Sequence, residues 1–143
     1  MKREILFRGK RVDNGEWVYG FYNRCEARLT YTEEHYKNTP RSWIQTVENE
    51  GFAGQLFHVD TDTVGQYTGL TDKNGKRVYE NDIVNCKTKS YLFEGYTIEW
   101  YNEDARFVIV QNGRRYAVSE SFEYEVVGNV YDNNNMLTDK GEG

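Results

Sequence analysis

Aromatic and β-branched residues alternate with polar ones along much of this chain, and short runs of turn-forming residues interrupt them. Tyr96–Tyr101, Arg106–Gln111, Arg115–Ser119 and Tyr124–Tyr131 each read as a strand. They are divided by Asn102-Glu103-Asp104, by Asn112-Gly113 and by the acidic stretch 120–123. Asn-Gly is the strongest short-range hairpin signal, because both residues tolerate the positive φ that a two-residue turn needs. The same pattern opens the chain: Ile5 and Phe7 precede the turn residues Asp13-Asn14-Gly15, and Trp17, Tyr19 and Phe21 then share one face, with Val18, Gly20 and Tyr22 on the other. Ser42–Val47 and Gln55–Val59 predict two further strands. Residues 23–42 carry few aliphatics and the single proline, Pro40, so an irregular insertion or a short helix near Thr32–Tyr36 is expected there. No helix-period pattern spans ten residues, and the prediction is a mainly β chain.

The most informative run is Val64–Val84. It predicts a strand, a turn at Asn74-Gly75 and a second strand, followed by the acidic turn Tyr79-Glu80-Asn81 and a strand opening on Asp82-Ile83-Val84. A carboxylate in such a turn commonly binds backbone amides. The structural motif residues are Gly65, Tyr67, Gly69, Asp72, Asn74, Gly75, Tyr79 and Asp82. Glycine inside a strand, as in Val64-Gly65 and Val127-Gly128, marks a bulge or a close backbone approach. Counted from Asp72, a calcium loop would need an oxygen ligand at Lys76 and a glycine at Arg77, so that reading fails.

Composition sharpens the picture. Charged residues make up 29% of the 143 residues and mean hydropathy is −0.86, yet 12 Tyr, 7 Phe and 3 Trp supply enough apolar area for a folded core. The net charge of −5 disfavours a whole-protein polyanion binder. That charge is uneven: residues 1–50 carry a net +1 and residues 85–143 a net −4. Cys25 and Cys86 lie outside any CxxC spacing and read as unpaired thiols of a reducing compartment. The start MKREILFRGKR has no apolar run behind it, and no window approaches a membrane span, so a cytoplasmic protein is expected, with no membrane partner.

Chemistry-bearing motifs are sparse. His35 and His58 sit in no metal-ligand spacing, and His58 reads as a half-buried strand residue. Ser119 and Ser121 lack a readable base, and no phosphate loop occurs. No catalytic residue, metal ligand or cofactor is implied. The N-terminal third does interleave cations with aromatics, the arrangement that grips single-stranded nucleic acid. The candidate nucleic-acid or partner-binding residues are Arg8, Lys10, Arg11, Trp17, Tyr19 and Arg24, within a wider set that includes Arg3, Arg28, Phe7, Phe21 and Tyr22. Glu4, Asp13, Glu16 and Glu26 interrupt that set, and core aromatics produce the same pattern.

Val64-Gly65-Gln66-Tyr67-Thr68-Gly69-Leu70, with Asp72-Lys73-Asn74-Gly75-Lys76, Tyr79-Glu80 and Asp82-Ile83-Val84, resembles the signature of the YopX family of small phage and prophage proteins of Gram-positive bacteria. Arg3-Glu4-Ile5 with Phe7-Arg8 and Val126–Asp132 match that family's flanking motifs. The chain departs from the pattern at Asn81, where the family tends to have Gly, and at Thr71, where Lys is usual. Asn tolerates left-handed φ, so the turn should survive. The resemblance implies a mainly β fold with a barrel-like part, a phage or prophage origin and self-association, and it implies no catalytic residues.

The expected architecture is an N-terminal hairpin subdomain over 1–63, containing a variable insertion at 23–54, packed on a small SH3-like barrel over 64–131, with a frayed polar tail at 132–143. The expected core is Ile5, Phe7, Trp17, Tyr19, Leu56, Tyr67, Leu70, Val78, Ile83, Ile98, Trp100, Val108, Val110, Val127 and Val130. Three functions fit the residues. The first is a non-enzymatic, homo-oligomeric binding module, with a host or phage protein as partner. The second is a nucleic-acid-associated accessory factor using the N-terminal basic–aromatic face. The third is a metal-dependent hydrolase built on Asp60, Asp62, Asp72 or Asp82.

Overall fold

The computed structural model describes residues 3–25, 41–47 and 53–133. The chain divides into two compact units, 1–66 and 67–143. Among the described residues every ladder is antiparallel. The expected helix near 32–36, His35 and Arg28 lie outside the described residues.

In the first unit, strands β1 (Phe7–Lys10), β2 (Trp17–Cys25), β3 (Arg41–Val47) and β4 (Ala53–Val59) form a meander. A single 3-10 turn, Thr61–Thr63, follows, and β5 (Gly65–Thr71) begins against β1. β3 and β4 are the strands expected at Ser42–Val47 and Gln55–Val59, starting one and two residues earlier.

The strand period fixes two faces. Pairing of Phe7 with Gly20, Tyr22 with Ile44, and Ile44 with Phe57 puts these residues on one side, with Val18, Ser42 and Val59. This side is the buried one: Ile44, Ser42 and Val59 are almost fully enclosed. Ser42 is satisfied there by a hydroxyl relay, Tyr22 Oη to Ser42 Oγ at 2.9 Å and Ser42 Oγ to Thr61 Oγ1 at 2.8 Å. Gly20 makes the close approach possible, since a Cβ there would lie 1.9 Å from the Gln45 carbonyl oxygen.

The alternation predicted for β2 therefore holds, but its facing is reversed. Trp17, Tyr19 and Phe21 occupy the outer face, and Tyr19 (45% exposed), Leu56 (53%) and Ile5 (53%) are not core residues. Residues contributed by β3 and β4 decide this, because Ile44 and Val59 fit the Val18–Gly20–Tyr22 side.

The second unit continues β5 into β6 (Arg77–Tyr79) and then runs through β7 (Asp82–Lys87), β8 (Leu92–Tyr101), β9 (Arg106–Gln111), β10 (Arg114–Ala117) and β11 (Glu123–Asn129). The last five form an open sheet ordered β10-β9-β8-β7-β11. The ladders do not close, so the SH3-like ring expected from the sequence is not formed. β10 and β11 remain at the two edges. The turn between β9 and β10 is Asn112-Gly113 with φ of 52° and 77°, the left-handed pair that a tight hairpin needs. A register shift falls between Val126 and Gly128, where the strand glycine predicts a bulge.

Leu70, Val78, Val84, Cys86, Ile98, Phe107, Ile109 and Tyr124 form the core of this unit. Of the expected core, Tyr67, Leu70, Val78, Ile83, Ile98 and Val108 are buried. Trp100 is an exception at 45% exposed, because it lies at the far end of β8, packed edge-on against Phe107 at 5.0 Å.

Candidate nucleic-acid interface

The outer face of the first unit is built by parity. Arg8 and Lys10 of β1 pair with Tyr19 and Trp17 of β2. Across β2, Asn23 pairs with Trp43 and Phe21 with Gln45, and β4 adds His58 opposite Trp43 and Leu56 opposite Gln45. Arg41 is two residues from Trp43 and so shares its face. The strands β1–β4 contain no Asp or Glu at all, while they hold Arg8, Lys10, Arg24 and Arg41.

The rings on this face are ordered by their neighbours. The Arg8 guanidinium lies 4.5 Å from the Trp17 ring centroid and the Lys10 ammonium 5.5 Å from it, both within cation–π range. Trp43 and His58 stack with centroids 4.9 Å apart and a tilt of 28°. Arg8 is only 4% exposed, so it supports Trp17 from within and does not reach a ligand. Tyr19 and Phe21 stand open beside these rings.

The structure thus brings together Arg8, Lys10, Trp17 and Tyr19. It separates Arg11 and Arg24, which fall on the opposite side of the sheet. Arg11 is also engaged by Asp13: its Nη2 lies 2.6 Å from Asp13 Oδ2, and its guanidinium lies over Phe57 at 4.5 Å. That hydrogen bond lowers the Asp13 carboxyl below its usual range. Phe21, which the wider set includes, completes the face together with Arg41, Trp43, Leu56 and His58, which the sequence reading does not single out for it. Alternation groups 41, 43 and 45 on one side of β3, and only the pairing of β3 with β2 brings that side onto this face.

The signature residues of the second unit do structural work. Asp72 Oδ1 accepts from Asn74 N and Lys76 N, both at 2.9 Å, and Oδ2 accepts from Val126 N at 3.1 Å. Burial pushes this carboxyl upward, but the three amides outweigh it and hold the pKa below the ordinary value. Asp82 Oδ2 accepts from Tyr79 N at 2.8 Å. Tyr67 pairs with Tyr79 across the ladder, rings 5.7 Å apart, and Arg77 lies over Tyr67 at 5.6 Å. Gly65 sits opposite Arg8, and Gly69 and Gly75 take positive φ in the β5–β6 hairpin, where Asn74 lies at the tip. Asn81 has φ of 67°, so it adopts the left-handed conformation in place of glycine, and its Nδ2 donates to Tyr131 Oη.

Among the described residues, no group of three His, Cys, Asp or Glu side chains is placed to hold a metal. Burial pushes the Cys86 thiol up to about 11 and the Tyr124 phenol up to about 12, so neither is a nucleophile near neutral pH. Among the described residues no helix is long and apolar enough to cross a membrane, which says nothing about strands.

Comparison with known proteins gives a family and little else. No curated protein matches the chain. One similar solved structure is the crystal structure of protein EF1440 from Enterococcus faecalis, at 18% identity and a TM-score of 0.49, covering 95% of this chain and 99% of that one. A likeness at that level bears on neither function nor detail of fold. A family model described as YopX protein matches residues 6–138. That match includes the whole Val64–Val84 signature and nearly all the rest, and the chain belongs to the YopX family.

Proposed function

We propose that this protein is a non-enzymatic binding module that takes single-stranded nucleic acid on the outer face of its first unit. The observation that carries the reading is the coincidence, on one acid-free sheet face, of Trp17, Tyr19, Phe21 and Trp43 with Lys10 and Arg41. Bases stack on such rings regardless of sequence, and the cations meet the phosphates. Within β1–β4 themselves no carboxylate stands beside these cations.

The test is a titration with a short mixed-sequence single-stranded oligonucleotide at several salt concentrations, with solution mass followed by light scattering. Binding should weaken as salt rises, and Lys10→Ala should reduce the salt slope by about one. Phe21→Ala should cost about 1–3 kcal/mol of affinity through lost stacking. Two outcomes overturn the reading. One is binding that is absent or indifferent to salt. The other is a mass that is doubled without oligonucleotide and returned to the monomer by Phe21→Ala, which would make the face an interface between copies.

A further inference from the structure

The second unit carries a cavity unrelated to the basic–aromatic face. It lies on the core side of the open sheet, near the β10 edge, with a volume of about 540 Å³, within the range typical of small-molecule sites. Its walls are aromatic: Tyr91, Phe93, Tyr116 and Phe122 surround it, and Ile109 forms part of the lining. Phe93 packs against two of these rings, with centroids 6.1 Å from Tyr91 and 4.9 Å from Tyr116, and against Tyr96 outside the lining at 5.3 Å.

Two turns frame the opening and are held by their own hydrogen bonds. On the β7–β8 side, Thr88 Oγ1 accepts from Tyr91 N at 3.0 Å and from Ser90 N at 3.3 Å, while Thr88 N donates to Tyr91 O. On the other side, Ser119 Oγ and Ser121 Oγ are 2.8 Å apart and Phe122 N donates to Ser119 O. The site is therefore formed before any ligand arrives, which lowers the ordering cost of binding.

The charge at the opening is of one sign. Lys89 is the single charged residue among those lining the cavity, and Thr88, Ser90, Tyr91, Tyr116 and Ser121 are its hydroxyl-bearing residues. Glu120 and Glu123 are near in sequence, but neither lines the cavity. A largely aromatic cavity whose lining carries one cationic side chain, Lys89, matches a molecule with a flat apolar body and one anionic head.

We propose that this cavity binds a small aromatic carboxylate, its rings between Phe93, Tyr116 and Phe122 and its carboxylate toward Lys89. The tilted rings offer edge and face contacts to a flat guest, and the lysine supplies a charge-assisted hydrogen bond.

The experiment is a fluorescence titration of the full chain with 2-naphthoate, and in parallel with 2-naphthalenemethanol as the neutral analogue of the same shape. Saturable binding of the carboxylate, about tenfold tighter than the alcohol, is expected. Lys89→Met should remove that preference while leaving the alcohol within about twofold, because the ring contacts are untouched. Ser121→Trp, which puts bulk into the mouth from an exposed position, should abolish both. Chemical-shift changes should centre on Tyr91, Phe93 and Tyr116. Equal binding of acid and alcohol, persistence of the preference in Lys89→Met, no saturation of either by about 1 mM, or shifts centred on Trp17 and Trp43 would each overturn the proposal. Failure here leaves the nucleic-acid reading intact, since that reading concerns only the first unit.

Discussion

The two units use the same alternation of apolar and polar residues but differ in which residues it turns outward. In the first, Trp17, Tyr19 and Phe21 face outward, while the buried side is made of Ile44, Val59 and the Tyr22–Ser42–Thr61 hydroxyl relay. In the second, Tyr124 and Phe107 are enclosed with Ile98 and Val84, and carboxylates such as Glu94, Glu99 and Glu123 occupy outward strand positions. Hydrophobicity alone does not choose the inner face of a sheet. Close approach of the partner strand and the volumes arriving from elsewhere in the chain choose it.

Substitution at one ring on each side would test the contrast most directly. Tyr124→Ala should lower stability by about 3–5 kcal/mol, because it empties a packed site and strands the Ser119 amide and carbonyl that its hydroxyl serves. Phe21→Ala should change stability by less than about 0.5 kcal/mol, since its ring is already 55% exposed. Denaturant unfolding of both variants measures the difference, and equal losses would mean that the outer face of the first unit is packed after all.

Next comes the strand approach that turns the first unit's aromatics outward. Gly20→Ala should cost about 1–3 kcal/mol through the clash with the Gln45 carbonyl. A thermal midpoint equal to that of the parent would contradict the pairing of β2 with β3.

The Asp72 clasp sets a pH signature in the second unit. Its folded pKa lies below the unfolded value, so its contribution is complete above the ordinary carboxylate range and is lost as pH falls through the folded pKa. Asp72→Asn should be destabilised by about 1–3 kcal/mol at pH 7 and by progressively less toward pH 2. A constant difference across that interval would assign the loss to shape and not to charge.

The smallest effect belongs to the turn before β7. Asn81→Ala should cost about 1 kcal/mol, by combining left-handed strain with loss of the hydrogen bond to Tyr131. Asn81→Gly should stay within about 0.5 kcal/mol of the parent, because relief of φ offsets the lost bond. Calorimetric midpoints of the pair separate backbone conformation from the side-chain contact.

Much of this was legible before any coordinates. Asn112-Gly113 and Asn74-Gly75 mark real hairpins because positive φ is a local demand that few residues meet. The strands around Trp17, Trp100 and Val108 follow from period two. The facing of the first sheet was not legible, since Trp17-Tyr19-Phe21 and Val18-Gly20-Tyr22 alternate equally well and the deciding residues Ile44 and Val59 arrive from later strands. Of the six candidate binding residues, Arg11 and Arg24 could have been separated from the rest by parity alone. Arg41 and Trp43 required knowing that β3 pairs with β2. The aromatic cavity was invisible because a loop, an edge strand and a turn contribute to it, and no spacing in the chain relates them.

One carboxylate at Asp72 holds two amides of its own turn, Asn74 and Lys76, and a third from distant β11, Val126. Their exposure to solvent deuterium is therefore governed by a single release event, and the three should exchange on one clock, separated from their immediate neighbours. The run of residues that places the chain in its family thus also sets a timescale, the lifetime for which the β5–β6 hairpin stays fastened to the edge of the sheet.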